Sequence, residues 1–183
     1  SRYPSKLLTV CKCKHQNWGT IIDYVKETSK SENDSKEYYH TICDMANTLP
    51  SQQFFAIKLS GIQYNKTLLP SIFTKMQEKN HRVTLDAENV ATYETVSSIS
   101  NDLMWRYNVS FPYIYKTYQM YRKDSLIELQ RDIVTAHKYR YILGVKLVRG
   151  AYHQEDKHSN ILYTNIEDTH KNYDEACRMI MWN

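Results

Sequence analysis

The chain has 183 residues, 42% hydrophobic and 13% aromatic, with only 4 Gly and 4 Pro. That composition excludes a disordered or low-complexity protein and leaves enough chain to bury a core. Against 20 Asp and Glu stand 24 Lys and Arg, a net charge of +4, too mild an excess to mark a nucleic-acid binder.

The chain starts at Ser1 rather than Met, which reads as a processed form or a piece of a longer product. Leu7-Leu-Thr-Val-Cys11 is an apolar run of strand length. The group Cys11-Lys-Cys13-Lys-His15 lacks zinc-knuckle spacing and a second ligand pair, so no metal is expected. The basic stretch over residues 6–14 is short and reads as a solvated edge. With Cys43 and Cys177 the cysteines number four, too few for a disulfide framework at this length, and a reducing compartment follows. Asn-x-Ser/Thr matches at Asn33, Asn65 and Asn108 are weak signals in a chain rich in these residues.

Residues 18–49 read as helical, interrupted by a solvated loop at Lys30-Ser-Glu-Asn-Asp-Ser-Lys36. Phe54-Phe-Ala-Ile-Lys-Leu-Ser60, closed by Gly61, is too short for a helix and reads as a buried strand. A helical stretch with Leu68, Leu69, Ile72 and Met76 leads to a second strand, Arg82-Val-Thr-Leu-Asp-Ala-Glu88. Residues 89–107 form a longer amphipathic helix, followed past Pro112 by a strand at Tyr113-Ile-Tyr-Lys-Thr-Tyr-Gln119. Residues 125–138 repeat the helical pattern and lead to Ile142-Leu-Gly-Val-Lys-Leu-Val-Arg-Gly150. A last helix spans residues 167–182, and its apolar tip, Met179-Ile-Met-Trp182, is expected to be exposed if nothing packs on it. No run approaches the ~18 apolar residues of a membrane-spanning helix.

Strands alternating with helices indicate an α/β protein built from successive βαβ units with parallel strands. A doubly wound sheet would need a Gly-rich turn after its first strand, and no G-x-G-x-x-G is present. A (β/α)8 barrel instead places one functional side chain at the C-terminal end of each of several strands. Lys58, Asp86, Gln119 and Lys146 fit that rule. Four convincing strands cannot close an eight-stranded barrel, so the expectation is a partial TIM-like barrel. An N-terminal helical segment (1–53) would precede the barrel portion (54–183).

These strand ends carry a resemblance. Gly144-Val-Lys-Leu-Val-Arg-Gly-Ala-Tyr152 closely resembles the fifth-strand motif of the proline dehydrogenase family in its eukaryotic, mitochondrial form. Thr117-Tyr-Gln-Met-Tyr-Arg-Lys-Asp124 resembles the fourth-strand motif. Thr84-Leu-Asp-Ala-Glu88 and Ala56-Ile-Lys-Leu-Ser60 resemble the two before it, all in family order.

The resemblance implies an FAD enzyme that oxidises L-proline to Δ1-pyrroline-5-carboxylate and passes electrons to a membrane quinone. It also implies a place in the mitochondrial matrix at the inner membrane, with no nucleic-acid partner. Carried over by position, Lys58 and Asp86 belong to the proline pocket, where a Lys–Asp pair keeps both groups charged. Tyr152 supplies an aromatic wall. Gln119 and Lys146 hydrogen-bond the flavin, Lys146 stabilising negative charge on the reduced ring. Position 146 is Arg in many bacterial members; Lys keeps the charge and loses the fork. Backbone at Val148, Gly150 and Ala151 approaches the cofactor, and Thr164 aligns with a threonine that contacts FAD. The family's arginine pair for the proline carboxylate, on a later helix, has no counterpart here, so the isolated chain is expected to be inactive.

Blander roles compete at each position. Lys58 and Lys146 suit ordinary ion pairs at strand ends. Asp86 suits a cap on the helix beginning near Asn89, and Gln119 suits a bond to a loop carbonyl. Two other functions also fit a barrel of this kind: a catalytically dead remnant serving as an interaction module, and a lyase using Lys58 or Lys146 as a Schiff-base nucleophile.

Overall fold

A computed structural model describes residues 19–24 and 29–182. The run at residues 7–11, the Cys11/Cys13/His15 group and the basic stretch lie outside the described residues. The chain divides into two compact units, 1–83 and 84–183. The boundary falls inside one strand.

In the first unit, strand β1 (Ile21–Asp23) pairs in parallel with β2 (Phe54–Ile57), Ile21 opposite Phe54. A strand therefore occupies part of the stretch expected to be helical, its two adjacent β-branched isoleucines favouring extended backbone. Helix α1 (Glu32–Thr48) begins inside the run expected to be a loop. Ser31 is its cap, with the hydroxyl accepting from the Asp34 N–H at 3.1 Å, and Glu32 and Asp34 sit in the first turn where the helix dipole favours acid. Those polar residues are the solvated start of a helix. Tyr38, Thr41, Ile42, Met45 and Ala46 form its buried stripe at helical spacing.

Past β2 the chain makes a 3-10 turn (Leu59–Ile62). A Cβ on Gly61 would lie 2.7 Å from the Tyr38 ring, so only glycine lets α1 press this closely on the turn. Helix α2 (Leu69–Glu78) buries Leu69, Ile72, Phe73 and Met76. Strand β3 (Arg82–Leu85) starts beside β2, Arg82 N–H donating to the Gln53 carbonyl at 2.9 Å. His81 is fully buried. Its Nδ1 accepts from the Gln53 N–H at 3.0 Å, which leaves the proton on Nε2 to donate to the Ala46 carbonyl at 3.0 Å.

The second unit continues β3 and adds α3 (Val90–Tyr107), β4 (Ile114–Gln119), α4 (Ser125–Tyr139), β5 (Val145–Val148) and α5 (Ile166–Met181). Strand β4 pairs in parallel with β5, Thr117 opposite Lys146 and Gln119 opposite Val148. The pairing needs Gly144: a Cβ there would meet the Ile114 carbonyl oxygen at 2.1 Å. Buried Asn108 stitches the strand entrances together. Its amide exchanges two hydrogen bonds with Ile114 and donates to the Ile142 carbonyl at 2.9 Å. An asparagine committed in this way is no glycan acceptor in the folded chain.

Tyr118, Met120, Leu129 and Ala176 form a buried cluster, with Met179 and Ile180 packed against it. The tip of α5 thus splits, and Met181 and Trp182 stay exposed. The alternation of strands and helices expected of a partial TIM-like barrel is present throughout the described residues.

Candidate active site

Side chains two residues apart on a strand share a face. On β4, Lys116 and Tyr118 face the helices, where Lys116 Nζ reaches Glu128 at 2.8 Å and Asp132 at 2.6 Å. Thr117 and Gln119 take the other face. Thr84 on β3 joins it, its hydroxyl 3.3 Å from that of Thr117, and the register adds Lys146 and Val148 from β5. Asp86, two residues beyond Thr84, continues the same row past the end of β3.

The structure brings four expected residues of the second unit to this face: Asp86, Gln119, Lys146 and Val148. Lys146 Nζ lies 2.6 Å from Asp86 Oδ1, with side chains 33% and 17% exposed. Lys146 thus makes an ion pair, and its partner is Asp86. Asp86 does not cap α3: Asn89 does, accepting from the Thr92 N–H at 3.3 Å. Gln119 is buried, and its Nε2 donates to the Glu88 carbonyl at 3.0 Å. Its Oε1 is buried with no hydrogen-bond partner among the described residues. A bound group with an N–H or O–H would satisfy that acceptor.

The other expected residues are placed as follows. Lys58, in the first unit, sits just past the end of β2, half-buried, its N–H donating to the Tyr38 hydroxyl at 3.2 Å. It holds the same slot after its strand that Asp86 holds after β3. The Val148 carbonyl accepts from the Met120 N–H at 2.7 Å. Gly150 has φ +133°, and a Cβ there would lie 2.4 Å from the Tyr121 ring, so this glycine is required by the protein's own packing. Ala151 is exposed and Tyr152 half-buried. Thr164 is exposed next to Asn165, the cap of α5.

Sequence reasoning missed Asp156, Tyr121 and Lys116. Asp156 is buried in the loop after β5 and accepts from Val90 N–H and Tyr121 OH, each at 2.9 Å. Burial, reinforced by Asp156, pushes the Tyr121 phenol up. Nothing distinguishes Asp156 within the polar run that surrounds it. A groove of about 600 Å³ between α3 and α4, lined by Glu94, Asn101, Arg122 and Glu128 among others, includes none of the expected residues.

Residues 7–183 match the family model described as Proline dehydrogenase. A Caenorhabditis elegans relative named Proline dehydrogenase 1, mitochondrial, is 33% identical over 107 residues, covering 55% of this chain and 17% of that protein. A Xenopus laevis Hydroxyproline dehydrogenase is 41% identical over 76 residues, covering 42% and 16%. The chain therefore spans under a quarter of the length of these relatives. Among solved structures, proline utilization A (PutA) from Bdellovibrio bacteriovorus superposes with a TM-score of 0.84 over 98% of this chain and 23% of its own, at 18% identity. That likeness is one of fold. The family match over nearly the whole chain identifies it as a member of the proline dehydrogenase family.

Proposed function

We propose that the chain supplies the β2-to-β5 part of an FAD-dependent active site that oxidises L-proline to Δ1-pyrroline-5-carboxylate. Electrons would pass on to a membrane quinone, in the mitochondrion that the names of several relatives mention. The observation that carries this reading is the row of polar groups on one face of β3, β4 and β5, with Gln119 Oε1 at its centre, buried and without a hydrogen-bond partner among the described residues.

The residues fit a flavin. Its ring edge presents N–H donors and carbonyl acceptors, which match a glutamine amide and a lysine ammonium. Bound there, FAD would accept the two electrons lost as the C–N bond of proline becomes C=N. Gln119 would hold the ring through Oε1 while Glu88 fixes the amide orientation through Nε2. Lys146 would place a positive charge beside the ring, kept oriented by Asp86. Lys58 and Asp86 would line the proline pocket and Tyr152 would wall it. Backbone at Val148, Gly150 and Ala151, with Thr164, would complete the cofactor contacts. The ion pair of Lys146 favours this role over a Schiff-base lyase, which needs a free, neutral amine.

The test is the visible absorption spectrum of the chain after reconstitution with FAD, before and after anaerobic L-proline. Bound flavin that stays oxidised is the expected result, in line with the inactivity expected of the isolated chain. Proline-driven bleaching would refute that inactivity, and a chain that takes up no flavin refutes the cofactor reading. Hydroxyproline belongs in the same assay, because the Xenopus relative carries that substrate in its name.

A further inference from the structure

The loop after β5 carries three of the residues assigned above, and its path is set by one carboxylate. At its start the Arg149 carbonyl accepts from the Tyr121 N–H at 2.8 Å, and at its end the Tyr163 N–H donates to the Tyr121 carbonyl at 2.9 Å. Both ends are therefore pinned to one residue past β4. Between them stands Asp156, only 7% exposed. Its Oδ1 accepts from Val90 N–H at the first turn of α3, its Oδ2 accepts from Tyr121 OH, and its own N–H donates to the Tyr152 carbonyl at 2.9 Å. The Tyr121 ring in turn lies under Gly150, leaving no space for a Cβ.

No ion pair joins Asp156 among the described residues. A buried carboxylate without a cation is costly, and here two donors and the N-terminal end of α3 offset that cost. Asp156 thus links the two sides of the site. One side is the start of α3, two residues from Glu88, which orients Gln119. The other is the turn bearing Gly150, Ala151 and Tyr152.

We propose that Asp156 is a positioning residue, which holds residues 150–152 over the strand ends in the geometry that flavin binding requires; this rests on the flavin reading given above. The acid acts through Tyr152 and Tyr121 and touches no substrate. Asp156→Ala removes both side-chain acceptors. Asp156→Asn keeps an acceptor for Val90 and lets the Tyr121 hydroxyl reverse its bond. Tyr121→Phe removes one arm only.

The experiment is amide hydrogen exchange over residues 149–163 in the flavin-free chain, followed by FAD titration monitored by flavin fluorescence. Asp156→Ala should speed exchange at residues 151–156 about tenfold or more while amides inside β4 stay protected, and should weaken FAD binding by about the same factor. Asp156→Asn should restore most of both, and Tyr121→Phe should fall between. Unchanged exchange in Asp156→Ala overturns the proposal. So does faster exchange with FAD affinity equal to wild type, which would leave the contact structural only. Should Asp156→Ala fail to fold by circular dichroism, the Tyr121→Phe and Asp156→Asn pair decides by the same criteria. Failure of the wild-type chain to bind FAD refutes the flavin reading itself, whereas failure confined to the variants bears on Asp156.

Discussion

Replacing Lys116 with Met should destabilise the second unit sharply, and by an amount that depends on pH. Lys116 is 2% exposed at its side chain and pairs with two carboxylates, Glu128 (9%) and Asp132 (4%). Met fills nearly the same volume, so packing changes little, but both acids lose their close buried cation and keep only the exposed Arg131, 4.0 Å from each. Removing one partner of a buried ion pair costs about 3–5 kcal/mol, because the charge that remains is uncompensated. With a urea dependence of about 2 kcal/mol/M, the unfolding midpoint should fall by about 1.5–2.5 M. The pH dependence checks the cause. Burial alone would raise the Glu128 pKa, but the Lys116 charge and hydrogen bonds from Lys116, Ser97 and Tyr93 outweigh it and hold the carboxyl below its ordinary 4.5. That contribution to stability is present above pH 4.5 and is lost as pH falls through the folded value. In Lys116→Met only the Ser97 and Tyr93 hydrogen bonds still oppose burial, so Glu128 protonates more readily and acid harms the variant less than the wild type. The stability gap should therefore narrow on acidification. A gap below about 1 kcal/mol at neutral pH, or one that ignores pH, refutes the reasoning. Combining Lys116→Met with Glu128→Gln and Asp132→Asn should recover much of the loss.

His81 makes the first unit sensitive to mild acid. Burial, with a smaller push from Lys79, holds its pKa below 6.5 despite the Ala46 carbonyl, so its contribution is complete above pH 6.5 and fades as pH drops below that. The excess slope over His81→Gln should approach about 1.4 kcal/mol per pH unit; parallel pH profiles for the two proteins would rule this out. Gly144→Ala must force the Ile114 carbonyl aside and should cost about 2 kcal/mol or more by thermal or urea unfolding. Wild-type stability in that variant would contradict the register of β4 and β5. Gln119→Leu should leave the flavin-free chain within about 1 kcal/mol of wild type, since it removes an unsatisfied acceptor together with one hydrogen bond. The same variant should weaken FAD binding about tenfold, and unaltered FAD affinity would remove Gln119 from the site. In a longer polypeptide that turns proline over, Asp86→Ala should abolish proline-driven bleaching while most FAD binding survives; the reverse pattern would exchange the roles of cofactor and substrate ligand.

The row of polar residues was legible because a strand's period of two assigns each side chain its face. Asp86 directly follows β3 and Gln119 closes β4, whereas Lys146 is the second residue of β5. The joint order of the motifs around them carried the family. Helix α1 was misjudged at its start because the first turn of a helix is polar for the same reason a loop is. Only the Ser31 cap and the stripe from Tyr38 onwards separate the two.

What tertiary structure alone decided is the pairing of groups far apart in sequence. Lys146 with Asp86, Lys116 with Glu128 and Asp132, and Asp156 with Val90 and Tyr121 all depend on strand register and loop path. A buried charge is tolerated only where its partners arrive, and no local pattern announces that arrival. The polar loop after β5 shows this: its one buried acid, Asp156, binds three parts of the second unit together.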